Sequence, residues 1–174
     1  GRLVTDLIGD ADIEHLPRRF VCLATDLVEA KQVLLDRGSV GLAVSASCCV
    51  PVLFKPVVRG EQHLVDGGLL NNIPADITRM LGAEKVVTVD INPTRGSGTR
   101  DLGLLGVIKA TLSISLSNAS IQGYSHSDVI VAPDLSAFRS TDKAGYEEMM
   151  RLGYESARAK IDDIIKLKEG AAKP

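Results

Sequence analysis

The sequence predicts an α/β fold with a largely parallel sheet and flanking helices. Three observations carry that expectation. Short apolar runs rich in β-branched residues alternate with stretches of helical spacing along the chain. Proline and glycine stand at the joins between them. The 174 residues, 45% of them apolar, suffice for one globular domain with a core of its own.

The elements follow in order. Phe20–Leu27 is apolar and partly β-branched, the composition of a buried strand, and Gln32–Leu35 is short enough to pair beside it. Ser39 suits the N-cap of a helix whose Val40, Ala43, Val44 and Ser47 share one face, ended by Pro51. Val57–Val65 reads as two strands around a turn at Gly60. Pro74–Leu81 is expected to be a short helix with Ile73, Ile77 and Leu81 on one side and Gly82 closing it. Val86–Ile91 is a strand stopped by Asn92-Pro93, and 94–100 is a polar glycine loop. Between Ala110 and Leu116 apolar residues alternate as in a strand, yet the proline-free stretch Leu102–Ile121 is longer than strands run. Val129–Val131 is a strand before Pro133. The tail, Asp142–Leu167, is an amphipathic helix with Tyr146, Met150, Ala157, Ile161 and Ile164 on one side and an i, i+4 pair at Asp162 and Lys166.

Composition excludes several classes of function. A formal net charge of −2 without a basic stripe argues against nucleic acid as a main partner. Aromatics make up 3% with no Trp, which leaves no stacking platform. Cys22, Cys48 and Cys49 are a poor disulfide framework and read as small buried thiols of a reducing compartment. His15, His63 and His126 are too scattered for a zinc site, so neither metal nor cofactor is expected. No uninterrupted apolar run reaches the roughly 18 residues of a membrane span, and Gly1–Asp6 does not read as a signal peptide.

The candidate chemistry lies at Leu64-Val-Asp-Gly-Gly-Leu-Leu-Asn-Asn-Ile-Pro74. A strand delivers one carboxylate, Asp66, onto a turn made by Gly67 and Gly68, where backbone angles closed to other residues are open. Asp-Gly-Gly alone is equally the composition of a plain turn. Asn71 and Asn72 either orient that turn or cap the next helix. His63 stands three positions before Asp66, so on a strand it points to the opposite face. Asp26 and Asp90 end strands and read as caps of the turns that follow. Ser47, Cys48 and Cys49 have no base beside them and read as packing residues.

Four blocks in order carry a resemblance: Ala24-Thr-Asp-Leu27, Ala46-Ser-Cys-Cys-Val-Pro-Val-Leu-Phe-Lys-Pro56, the Asp66-Gly-Gly turn through Pro74, and Ser127-Asp-Val-Ile-Val-Ala-Pro-Asp-Leu-Ser-Ala-Phe138. Together they resemble the C-terminal half of the catalytic domain of bacterial patatin-like phospholipases, from about Leu16 to Ile161. The resemblance implies a long helix over Leu102–Ile121 and the patatin-like version of the α/β fold, with 1–174 as the C-terminal portion of one catalytic domain. It implies a lipid acyl hydrolase working by a Ser–Asp dyad on phospholipid or another lipid ester, with Asp66 as general base and Gly67 and Gly68 shaping its turn. It also implies peripheral contact with a membrane, while the unpaired thiols point to the cytoplasm.

The family's Gly-x-Ser-x-Gly nucleophile and its glycine-rich oxyanion loop do not occur in these residues; Arg95-Gly-Ser-Gly98 and Gly38-Ser-Val-Gly41 have the wrong spacing or order. The chain is therefore expected to be inactive alone. It would need the N-terminal half, a partner chain or a second copy to cover an open sheet edge. The alternative is a non-catalytic scaffold or interaction module.

Overall fold

A computed structural model describes residues 6–7, 11–91, 103–138 and 144–170. Two compact units divide the chain, Gly1–Asn72 and Ile73–Pro174. The polar glycine loop at 94–100 and the start of the tail at Asp142 lie outside the described residues.

The first unit is a four-stranded sheet in the order β2-β1-β4-β3, with β1 at Cys22–Asp26, β2 at Lys31–Leu35, β3 at Val57–Arg59 and β4 at Gln62–Asp66. Every pairing in it is antiparallel. The expectation of a largely parallel sheet is corrected here, and connection length is the reason. Residues 27–30 join β1 to β2, and Gly60-Glu61 joins β3 to β4. Links that short can only reverse the chain, whereas a parallel pair needs a crossover of about a dozen residues or more. Gly60 turns at φ 60°, the left-handed geometry that favours glycine.

Helix α1, Val40–Ser47, covers one face of this sheet. Ser39 caps it, its Oγ accepting the Leu42 N–H at 3.3 Å. Val40, Ala43 and Ala46 are buried with Ile13, Ala24, Val33, Leu35 and Leu64 in one core. Two alanines at the contact let the helix backbone lie close to β1 and β4. The helix stops at Ser47, ahead of Pro51, which opens the next turn.

In the second unit, β5 at Val87–Val89 and β6 at Val129–Val131 form a parallel pair. Helix α2 is Ala75–Met80, and α3, Leu104–Ser125, runs between the strands in sequence. That segment is long enough for a crossover, so here the expected parallel pairing and the long helix both occur. Gly82 ends α2 at φ 99° as expected. A Cβ on Gly123 would stand 2.1 Å from the Ile73 carbonyl oxygen, so only glycine permits that approach of α3.

Small residues, Gly106, Ser120 and Gly123, are the buried positions of α3, while Leu104, Leu105, Ile114 and Ile121 face outward. By length and composition this helix could cross a membrane. Its serines and Lys109 hide that from a search for an unbroken apolar run. The tail is two helices, α4 at Tyr146–Ala159 and α5 at Ile161–Gly170, parted at Lys160. Its apolar side is uncovered, with Tyr146, Met150 and Ile161 exposed, and Lys166 lies 3.9 Å from Asp163.

Candidate active site

Asp66 is the last residue of β4, opposite Ala24 of β1. Its backbone N–H donates to the Cys49 carbonyl at 2.9 Å, and its Oδ1 accepts the Gly68 N–H at 2.8 Å. The chain then enters a tight turn at Gly67–Leu69, closed by the Leu70 and Asn71 N–H groups on the Gly67 carbonyl. The carboxyl is half-buried, and burial pushes its proton affinity above that of an ordinary aspartate while the Gly68 N–H pulls the other way. A carboxylate in that state is a better proton acceptor than one in water.

The reason for glycine at the turn differs from the expected one. Gly67 and Gly68 are not among the left-handed glycines of the described residues, which are Gly38, Gly60 and Gly82. Space decides instead: a Cβ on Gly67 would lie 2.4 Å from the Leu23 carbonyl oxygen and 2.9 Å from the Leu23 Cβ. The turn is pressed against the backbone of β1, and this contact sets the direction in which Asp66 leaves the sheet.

The other candidates sort around this centre. His63 is exposed, as its strand position predicts. Asp26 is buried and caps its turn, accepting the Val28 N–H at 3.0 Å and the His63 N–H at 3.4 Å. These bonds, the Val28 one foremost, hold its carboxyl below the ordinary range. Asp90 is buried and accepts the Tyr124 hydroxyl, which ties the end of β5 to α3; the turn after it lies outside the described residues. Pro74 stands at the N-cap of α2 and offers no side-chain hydrogen bond to it.

The three thiols are not uniformly buried. Cys49 is buried, Cys22 half-buried and Cys48 exposed, because Cys48 stands at the C-cap of α1 where the chain turns away from the sheet. Burial pushes Cys22 up to about 11 and raises Cys48 and Cys49 as well; the Asp66 carboxylate adds to the rise in the last two. All three are thiols rather than thiolates near neutral pH, which makes them poor nucleophiles. Cys49 has a role that sequence inspection missed. Its carbonyl holds the Asp66 N–H, and its Sγ donates to the Lys55 carbonyl at 3.1 Å. No spacing rule reveals such a contact, since it joins a helix end to a strand end through the backbone.

Among the described residues, no group of three or more His, Cys, Asp or Glu side chains is arranged to hold a metal ion. A depression of about 440 Å³ lies elsewhere in the first unit, lined by Ile13, Leu16, Arg18, Phe20 and Arg37 among others, and Asp66 does not reach it.

Residues 1–79, which include Asp66 and its turn, match the sequence model of the family described as patatin-like phospholipase. An uncharacterised NTE family protein of Mycobacterium tuberculosis is 45% identical over 101 residues, covering 56% of this chain and 17% of the relative. Another from the same organism is 32% identical over 98 residues, covering 56% of this chain and 27% of the relative. The mouse patatin-like phospholipase domain-containing protein 7 is 21% identical over 186 residues, covering 91% of this chain and 14% of the relative. The chain thus spans about a quarter or less of the length of these relatives. Over residues 1–79, the chain is similar to the patatin-like phospholipase family.

Proposed function

We propose that this chain supplies the aspartate of a Ser–Asp dyad in a lipid acyl hydrolase acting on phospholipid or another lipid ester. The observation that supports it is the state of Asp66: a half-buried carboxylate of raised proton affinity, held at a strand exit inside the family-matched span. Asp66 takes the proton of a serine hydroxyl as that oxygen bonds to the ester carbonyl carbon. The tetrahedral adduct collapses, the C–O bond to the alcohol breaks, and the alcohol leaves with the proton from Asp66. Water then enters by the same route, Asp66 taking its proton, and the fatty acid is released from serine. Backbone N–H groups would stabilise the oxyanion in both steps.

Serine and oxyanion hole would both come from outside these 174 residues, in which no Gly-x-Ser-x-Gly occurs. That makes 1–174 the C-terminal portion of a catalytic domain, joined by the N-terminal half, a partner chain or a second copy, in the cytoplasm with peripheral membrane contact. The same missing motif favours the second reading, a scaffold without catalysis.

Two measurements separate the readings. In a protein that carries this chain together with its nucleophile segment, Asp66→Asn is expected to lower ester hydrolysis by roughly 10²–10⁴-fold with the fold retained. Undiminished turnover would remove Asp66 from the dyad. Fluorophosphonate labelling, read by mass spectrometry, is expected to mark a Gly-x-Ser-x-Gly serine in that protein and nothing in the 174-residue chain. Failure to label either sample would favour the scaffold.

A further inference from the structure

Beside Asp66 the chain exposes an apolar tip that the dyad does not use. Val52, Leu53 and Phe54 are 60%, 67% and 61% exposed, consecutive, and followed by an exposed Lys55. We propose that this tip is a membrane-contact loop that enters the outer part of a phospholipid surface and brings Asp66 to it. The choice of lipid rests on the lipid-ester reading of Asp66; the placement rests on four features of the loop itself.

The first is anchoring. The Cys49 carbonyl holds the Asp66 N–H at 2.9 Å, and the Cys49 thiol holds the Lys55 carbonyl at 3.1 Å. Both ends of the tip are thus fixed to the residue that positions the candidate base. The second is backbone hydrogen bonding. The Leu53 and Phe54 N–H groups both donate to the Val50 carbonyl, at 3.3 and 3.1 Å, and Pro51 has no N–H to satisfy. With the Leu53 and Phe54 donors already bonded, the tip enters a medium without water at a lower cost than a free edge, which would suit an added strand.

The third is strain. Val52 stands at φ 72°, a region that strongly disfavours a β-branched residue. Glycine would relax it, yet a bulky apolar side chain is held there and points to a role for that side chain outside folding. The fourth is charge. From Gly38 to Val58 the only ionisable group of either sign, thiols aside, is Lys55. Its ammonium flanks the apolar tip where lipid phosphates would lie, with no carboxylate in the segment to repel them.

Vesicle co-sedimentation of the 174-residue chain tests this without any turnover. Phosphatidylcholine vesicles, with and without phosphatidylglycerol, are the probe. Leu53→Asp and Phe54→Asp are each expected to lower partitioning by roughly tenfold or more. Lys55→Gln is expected to remove about fivefold, and only from the phosphatidylglycerol-dependent part. Val28→Asp, at an equally exposed position in the β1–β2 turn, at the far end of the β1–β4 ladder from Asp66, is expected to leave partitioning unchanged.

Three results would overturn the proposal: no partitioning of the unmodified chain, equal losses at Val28 and Phe54, or loss of self-association in Phe54→Asp with vesicle binding intact. The last would assign the tip to a second copy. Circular dichroism of each variant separates lost binding from lost fold. Because binding is read apart from hydrolysis, an inactive dyad and a failed membrane loop give different results.

Discussion

Asp66 is kept partly out of water, and its charged form is therefore less favoured in the folded chain than in the unfolded one. The linkage between proton binding and folding fixes the sign of the consequence. A carboxyl whose folded affinity for the proton is raised contributes most favourably at acid pH, and that contribution is lost as pH rises through the folded value. Asn at this position keeps an oxygen for the Gly68 N–H and carries no charge. Asp66→Asn is thus expected to unfold at higher denaturant concentration than the parent at neutral pH, with the two curves converging as pH falls below the ordinary aspartate value of 3.8. Urea titrations at several pH values would show it. A variant less stable than the parent at neutral pH would mean that Asp66 is held by favourable charge contacts instead of carrying a burial penalty. A residue that costs stability where it sits, at the exit of a strand and against a glycine turn, fits selection for chemistry.

At the scale of elements, one side chain in the second unit joins three segments. Arg79, at the end of α2, donates from Nε to the His126 carbonyl at 3.1 Å, from one terminal nitrogen to the Glu84 carbonyl, and from the other to Asp128 Oδ2 at 2.6 Å. Asp128 in turn accepts the Val86 N–H at 2.7 Å, just ahead of β5. The Val86 bond, with Arg79 adding to it, holds the Asp128 carboxyl below its ordinary value of 3.8. Its contribution to stability is therefore complete above that value and is lost as pH falls through the lowered one. Asp128→Asn is expected to lower the denaturation midpoint at neutral pH and to lose that deficit in acid; a deficit that stayed constant with pH would assign the effect to shape alone. Such clasps are invisible in sequence because they join residues 49 positions apart. What was legible was local. The Ser39 cap, the turns at Gly60 and Gly82, the helix face of Val40 and Ala43 and the strand that ends on Asp66 each depend on a few neighbouring residues. The pairing of β1 with β4 was not legible, since a period of two names a strand and not its partner, although the short links at 27–30 and Gly60-Glu61 already required the chain to reverse. The break at Lys160 and the close approaches at Gly67 and Gly123 were hidden for the same reason: they are set by what lies across from them.

On the scale of the whole molecule, each unit leaves apolar surface in water that its own residues do not cover. In the second unit Leu104 is 78% exposed, and Leu105, Ile114 and Ile121 follow it along α3 with more than half of their surface in solvent. A helix with small residues inward and large apolar ones outward is the reverse of a surface helix in a finished domain. Continuous exposed apolar area of this kind marks a contact surface. The tip at Val52–Phe54 differs, because its Leu53 and Phe54 N–H groups are bonded within its own turn and a lysine follows it. The two surfaces should therefore respond to different additions. Hydrogen exchange and dye binding can be followed in the 174-residue chain and in a protein that carries the same chain with a Gly-x-Ser-x-Gly segment. The larger protein is expected to slow exchange across Leu104–Ser125 and to bind less of an apolar dye, since covering the helix suppresses its local opening. Peptides spanning Val52–Phe54 are expected to exchange alike in both and to gain protection only when phosphatidylcholine vesicles are added. If α3 exchanges equally in both proteins, its outward face is not where the remainder of the catalytic domain packs, and the half-domain reading loses its main physical support.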